Sequence, residues 1–148
     1  MNLKNIFTAA AFLSVFVAVS AAAAAEMKLE AQLIWGTSEV KSPNPKHRPV
    51  DADVQHKLAS LPLKWSHFFE ENRLLFAVAD AATGKVTLSD RCAVEVKNLG
   101  NNRVEVLLFG KGKEVGKVTQ HLPRGEILVL AGNAPGESAW LVTLKRME

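Results

Sequence analysis

Tyrosine is absent from this chain, cysteine occurs once and tryptophan three times in 148 residues. With Cys92 as its only thiol the chain can form no intramolecular disulfide, so the fold stands on its core. Tyr and Trp supply much of the contact surface that sugars and proteins recognise, and here that resource is scarce. A dominant charge is missing too: 18 Lys and Arg face 15 Asp and Glu, for a formal net charge of +3. That excess is too small to argue for a nucleic-acid partner.

The one long apolar stretch is at the start. Lys4 precedes an apolar segment from Ile6 to Val19, and an alanine run from Ala21 to Ala25 follows it. Positive charge, a short apolar segment and a small-residue exit are the pattern of a secretory signal peptide. The strongly apolar part is short for a membrane span of roughly 20 residues. Residues 1–25 therefore read as a signal peptide and 26–148 as a single exported domain, periplasmic or extracellular, with no transmembrane segment after cleavage. That length is enough to bury about two-thirds of the unfolded chain's surface.

Along the mature chain, Leu29, Ala31, Leu33 and Trp35 alternate with Lys28, Glu30, Gln32 and Ile34, the period-two pattern of a strand with one buried face. Ser42 to Pro49 holds Pro43, Pro45 and Pro49 and predicts an irregular surface loop without helix or ladder. Asp51 can cap a helix carrying Val54, Leu58 and Leu61 on one stripe. Strands are expected over Leu63–Glu70, Arg73–Ala79, Lys85–Leu88, Cys92–Val96 and Val104–Phe109. Gly100-Asn101-Asn102 and Gly110-Lys111-Gly112-Lys113 read as turns. Beyond the second turn, Val115 falls out of step with Val118, and Gly116 suggests a bulge. Gly125 to Leu144 reads as a terminal hairpin whose connection, Asn133 to Ser138, is free to meet a partner. About eight or nine short strands with one helix predict an antiparallel two-sheet β-sandwich, with a partly open β-barrel as the alternative.

No catalytic motif stands out. The run from Gly110 to Lys117 has a Lys where a phosphate-binding loop needs its first Gly and Val118 where it needs Ser or Thr. His47, His56, His67 and His121 lack zinc spacing, so no metal or cofactor is indicated. No serine sits in a Gly-x-Ser-x-Gly elbow, and Glu70 and Glu71 should point to opposite faces of a strand. Cys92 and the three tryptophans, Trp35, Trp65 and Trp140, read as core, and Trp140→Ala would then cost about 3 to 5 kcal/mol. What remains are two basic loops, Lys46, His47 and Arg48 in one and Lys111, Lys113 and Lys117 in the other. They form one anion-binding patch only if both lie at the same end of the fold.

The ending Gly-Glu-Ile-Leu-Val-Leu-Ala-Gly, followed by Ala-Trp-Leu-Val-Thr-Leu-Lys-Arg, resembles the closing strands of bacterial secretins. The opening Leu29-Glu30-Ala31-Gln32-Leu33-Ile34 is similar to the strand at which their shared region begins. The chain departs from that pattern in placing Ala131 before Gly132, and Leu144-Lys145 where the secretins have proline. The resemblance implies a soluble relative working in the envelope and assigns no functional residue. Together these features favour an exported, non-catalytic binding or accessory domain that meets an envelope protein or an anionic surface ligand through its loops. The alternatives are an envelope assembly or secretion-associated factor that pairs by a strand edge, and an enzyme whose residues converge only in the fold. N-terminal sequencing of the exported protein is expected to begin at Glu26; retention of Met1 would overturn the leader assignment.

Overall fold

The computed structural model describes residues 25–42, 44–131 and 138–147. In chain order these form β1 (Glu26–Thr37), β2 (Arg48–Pro49), α1 (Ala52–Ala59), β3 (His67–Ala79), β4 (Thr83–Ser89) and β5 (Cys92–Gly100). Then follow β6 (Arg103–Gly110), β7 (Lys113–His121), β8 (Ile127–Ala131) and β9 (Ser138–Arg146). One sheet runs β2-β3-β1-β9-β8 and the other β4-β5-β6-β7, with every neighbouring pair antiparallel. The expected sandwich is present, and the described strands close no barrel. Residues 1–24 of the expected signal peptide, and residues 132–137 of the expected connection in the terminal hairpin, lie outside the described residues.

Period two explains the space between the sheets. Met27, Leu29, Ala31 and Leu33 of β1 meet Val94 and Val96 of β5 and Val104, Val106 and Leu108 of β6, with Val142 and Leu144 of β9 closing the same core. The expectation of one buried face on β1 falls short, because this strand lies in the middle of its sheet and is covered on both sides. Its opposite face carries Ile34 into a second, smaller cluster with Val54 and Leu58 of α1, Phe68, Ile127 and Leu141. The helix thus lies on the outer face of the five-stranded sheet. Two residues of the expected stripe, Val54 and Leu58, are buried, whereas the helix ends at Ala59 and leaves Leu61 beyond it.

A bulge lets β3 serve both cores. The sequence suggested two strands here, Leu63–Glu70 and Arg73–Ala79; the chain makes one, starting at His67. Against β1, Leu33 pairs with Asn72 but Ile34 pairs with Glu70, which leaves Glu71 as the extra residue. One extra residue reverses the parity of the side chains beyond it. Phe68 consequently faces the helix, whereas Leu74, Phe76 and Val78 face the other sheet. Leu63 and Trp65 precede the strand and pack on the helix cluster.

The turns match their sequence signals. Asn101 and Asn102 adopt positive φ between β5 and β6, as do Lys111 (51°) and Gly112 (77°) between β6 and β7. Val115 is the unpaired residue opposite Leu108 and Phe109, which is the bulge read from Gly116. The proline loop departs from expectation in one respect: Arg48 and Pro49 form a two-residue ladder with Glu70 and Phe69. Pro can do this because β2 is an edge, where a missing N–H costs no ladder bond.

Trp140 is not the core residue its alternation predicts. It sits on the inner face of β9 beside Val142, but past the end of the four-stranded sheet's cover, and 41% of its surface is exposed. Trp35 and Trp65 are only half-buried, and Cys92 is half-buried against the main core. Two stability measurements by urea unfolding follow. Leu141→Ala, at a fully buried site, should cost about 2 to 5 kcal/mol, and Trp140→Ala clearly less. Lys111→Asn should gain up to about 1 kcal/mol, because Asn tolerates the left-handed turn position better than Lys.

Candidate functional site

The proline loop organises the end of the fold where β1 finishes and β3 begins. Asn44 anchors it from within: its carbonyl accepts the His47 N–H at 3.1 Å and its side-chain oxygen the Lys46 N–H at 3.0 Å. Alternation along Lys46-His47-Arg48 then sends the middle residue to one side and its neighbours to the other. His47 packs on the two cross-strand tryptophans, with ring centroids 6.5 Å from Trp35 and 6.3 Å from Trp140. Those tryptophans meet edge-on at 4.6 Å, as paired residues of β1 and β9.

A hydroxyl holds the His47 ring in place. Ser42 Oγ lies 2.6 Å from His47 Nδ1 and accepts the Asn44 N–H at 3.2 Å. The hydroxyl keeps a second lone pair and its own proton for Nδ1, so it donates to or accepts from the ring according to which ring nitrogen carries the proton. Among the described residues Nε2 is buried without a partner, as is Trp35 Nε1. A serine beside a histidine is within reach of nucleophile activation, but a working pair also needs a group that orients the far ring nitrogen. Among the described residues that nitrogen has no partner, and the contact ties the loop to the aromatic pair.

Lys46 and Arg48 turn to the other side and line an open groove of about 520 Å³ with Pro49, Asp51, Glu70, Glu71, Asn72 and Arg73. Neither cation enters an ion pair among the described residues. Arg73 is different. It donates through Nε to Glu70 and through Nη2 to Asp51 at 2.7 Å, and Nη1 lies 3.6 Å from Glu30. The Glu70 and Asp51 carboxylates hold its guanidinium well above the ordinary range. Asp51 stands at the N-cap of α1, yet its carboxylate makes no cap bond and is spent on Arg73 instead.

Next to this network, Gln32 is 1% exposed, donates to Glu30 at 3.0 Å and keeps an unpartnered oxygen. Lys145 reaches across the same face to Asp53 at 2.5 Å, so two ion pairs tie the start of α1 to the sheet. The Lys145 contact lowers the Asp53 carboxyl below its usual range and the Asp53 contact raises Lys145. A lowered carboxyl stabilises the fold above its unfolded pKa and loses that contribution as pH falls through the folded value. A raised amine stabilises below its unfolded pKa and loses the contribution as pH climbs through the folded value.

The six candidate residues of the two basic loops divide as follows. Lys46 and Arg48 share the groove, and His47 anchors the loop from behind. Lys111, Lys113 and Lys117 belong to the β6–β7 hairpin of the other sheet, where Lys117 lies 3.8 Å from Glu105. None of the three lines the groove. Sequence reading missed the floor residues Asp51, Glu70 and Arg73. Glu70 and Arg73, three apart on a strand, should face opposite ways, and only the Glu71 bulge puts them on the same side. Burial, and secondarily the Glu71 carboxylate, push the Cys92 thiol up to about 11.

Among the described residues no group of three or more His, Cys, Asp or Glu could hold a metal ion, and no helix is long and apolar enough to cross a membrane. No family model, curated protein or solved structure matches the chain.

Arg73→Ala would leave Glu30 and Glu70 without their counter-charge, and a loss of about 2 to 4 kcal/mol is expected in urea unfolding. Thiol labelling of the folded protein should be slow at pH 8 and accelerate only towards pH 11, where the Cys92 thiolate forms. Rapid labelling at pH 8 would show the thiol to be exposed.

Proposed function

We propose that this chain is an exported, non-catalytic binding module that holds an anionic group of its ligand between Lys46 and Arg48. The observation that carries the reading is the groove: it is concave, and two exposed cations that enter no ion pair among the described residues stand at it. Arg73 belongs to the floor, neutralised by its carboxylates, so it positions the walls and leaves the capture of an anion to Lys46 and Arg48. The carboxylates of Asp51, Glu70 and Glu71 add acceptors for hydroxyl or amine donors on the same ligand. Export rests on the charge, apolar stretch and alanine exit of residues 1–25.

The loop is held on its back by His47, Trp35 and Trp140, so the groove is largely formed before any ligand arrives. Pre-organisation of this kind lowers the ordering cost of binding. Titration with inorganic phosphate, followed by backbone amide shifts, tests the reading. Shifts are expected at residues 46–49 and 70–73 and should vanish in the Lys46→Ala, Arg48→Ala double variant. A Lys111→Ala, Lys113→Ala, Lys117→Ala variant should bind as the parent does. The opposite pattern would move the anion site to the β6–β7 turn and overturn the proposal.

A further inference from the structure

A sheet edge presents unpaired backbone N–H and C=O groups, and proteins blunt such edges with charges, bulges, short strands or cover. Three edges of this sandwich are treated that way. β4 carries exposed Lys85 and a register shift after Thr87. β7 carries Lys113, Glu114 and Lys117, together with its bulge at Val115. β8 has only five residues, and the helix cluster takes up its Ile127 and Val129. The edge of β3 is otherwise.

β2 pairs with β3 only at Phe69 and Glu70, so among the described residues Glu71 to Ala79 has a ladder on one side alone. From Asn72 to Ala79 that edge reads Asn-Arg-Leu-Leu-Phe-Ala-Val-Ala, with no lysine and no proline. Arg73 is its single charge and is already engaged with Glu30, Asp51 and Glu70. At the middle of the free stretch stands Leu75, 69% exposed. A large apolar side chain at the centre of an unprotected edge is the reverse of what edge protection requires.

We propose that β3 pairs antiparallel with the β3 of a second copy of this chain, about a two-fold axis at Leu75, joining two five-stranded sheets into one. Self-complementarity of the segment selects this occupant. The free stretch from 71 to 79 is centred on residue 75, so a two-fold there places Glu71 opposite the second copy's Ala79. All the unpaired residues are then used, and pairing stops where β2 begins. In that register Leu75 covers its own mate on the outer face, Leu74 meets Phe76 on the inner face, and Arg73 falls opposite Ala77. Within the ladder from Glu71 to Ala79 no like charges oppose each other. An isologous interface requires such a pattern, in which one patch complements itself.

Sedimentation velocity across a concentration series tests the proposal. A dimer is expected to grow in with concentration. Leu75→Lys, which sets two lysines opposite each other at the axis, should raise its midpoint by at least about tenfold. Leu75 is exposed, so this variant should keep the parent's unfolding midpoint in urea. Val115→Lys, on the protected β7 edge, should dimerise like the parent. In a Cys92→Ser background, Leu75→Cys should give a disulfide-linked dimer on oxidation. A chain that stays monomeric up to about 1 mM would overturn the proposal and leave the edge to a strand from another protein. A dimer broken by Val115→Lys and untouched by Leu75→Lys would overturn it equally.

Discussion

Burial of β1 on both faces is the constraint on which the remainder of this structure depends. A strand with solvent on one side needs one partner layer; β1 needs two. The four-stranded sheet covers the face that carries Met27, Leu29, Ala31 and Leu33, and α1 covers Ile34 on the other. Each core has to close against the same backbone, so the outer layer cannot be moved without exposing the strand that the inner layer also uses. This ties the helix, and through its N-terminus the charged network, to the main sandwich.

The second core is small and its polar neighbours carry part of the task of fixing it. Glu30 and Gln32 are buried on the outer face of β1, where an unpaired carboxylate would be costly. Arg73 supplies the counter-charge from the neighbouring strand, and it reaches there because the Glu71 bulge has turned it to that face. Asp51 and Asp53 bring α1 to the same surface through Arg73 and Lys145. The groove is therefore a by-product of how the helix is held: its floor consists of the groups that fasten α1, and its mouth consists of the loop that leads into it.

That arrangement separates two kinds of charge that look alike in composition. Arg73 and Lys145 are committed to the fold, while Lys46 and Arg48 stand in the open with no ionic partner among the described residues. The proline loop can present them because His47 fastens it from behind to an aromatic pair. Two of the three tryptophans thus meet at one point, where they hold a loop in place and Trp140 stays partly in solvent. The open edge of β3 begins beside the same groove, so the loop, the groove and the edge are all set by where β2 stops.

The sequence by itself determined the strand pattern, the helix stripe, the asparagine and glycine turns, the bulge near Gly116 and hence the sandwich, because each depends on residues within a few positions of one another. It marked Lys46 and Arg48 as exposed cations for the same reason. Only the tertiary structure decided which faces are covered. Trp140 has the alternation of a core residue, but the opposing sheet ends before reaching it. Glu70 and Arg73 have the spacing of residues that point apart, but an extra residue at Glu71 brings them together. The pairing of β1 with β3 settles both the bulge and the order of strands, and it joins residues about forty positions apart that no local pattern connects.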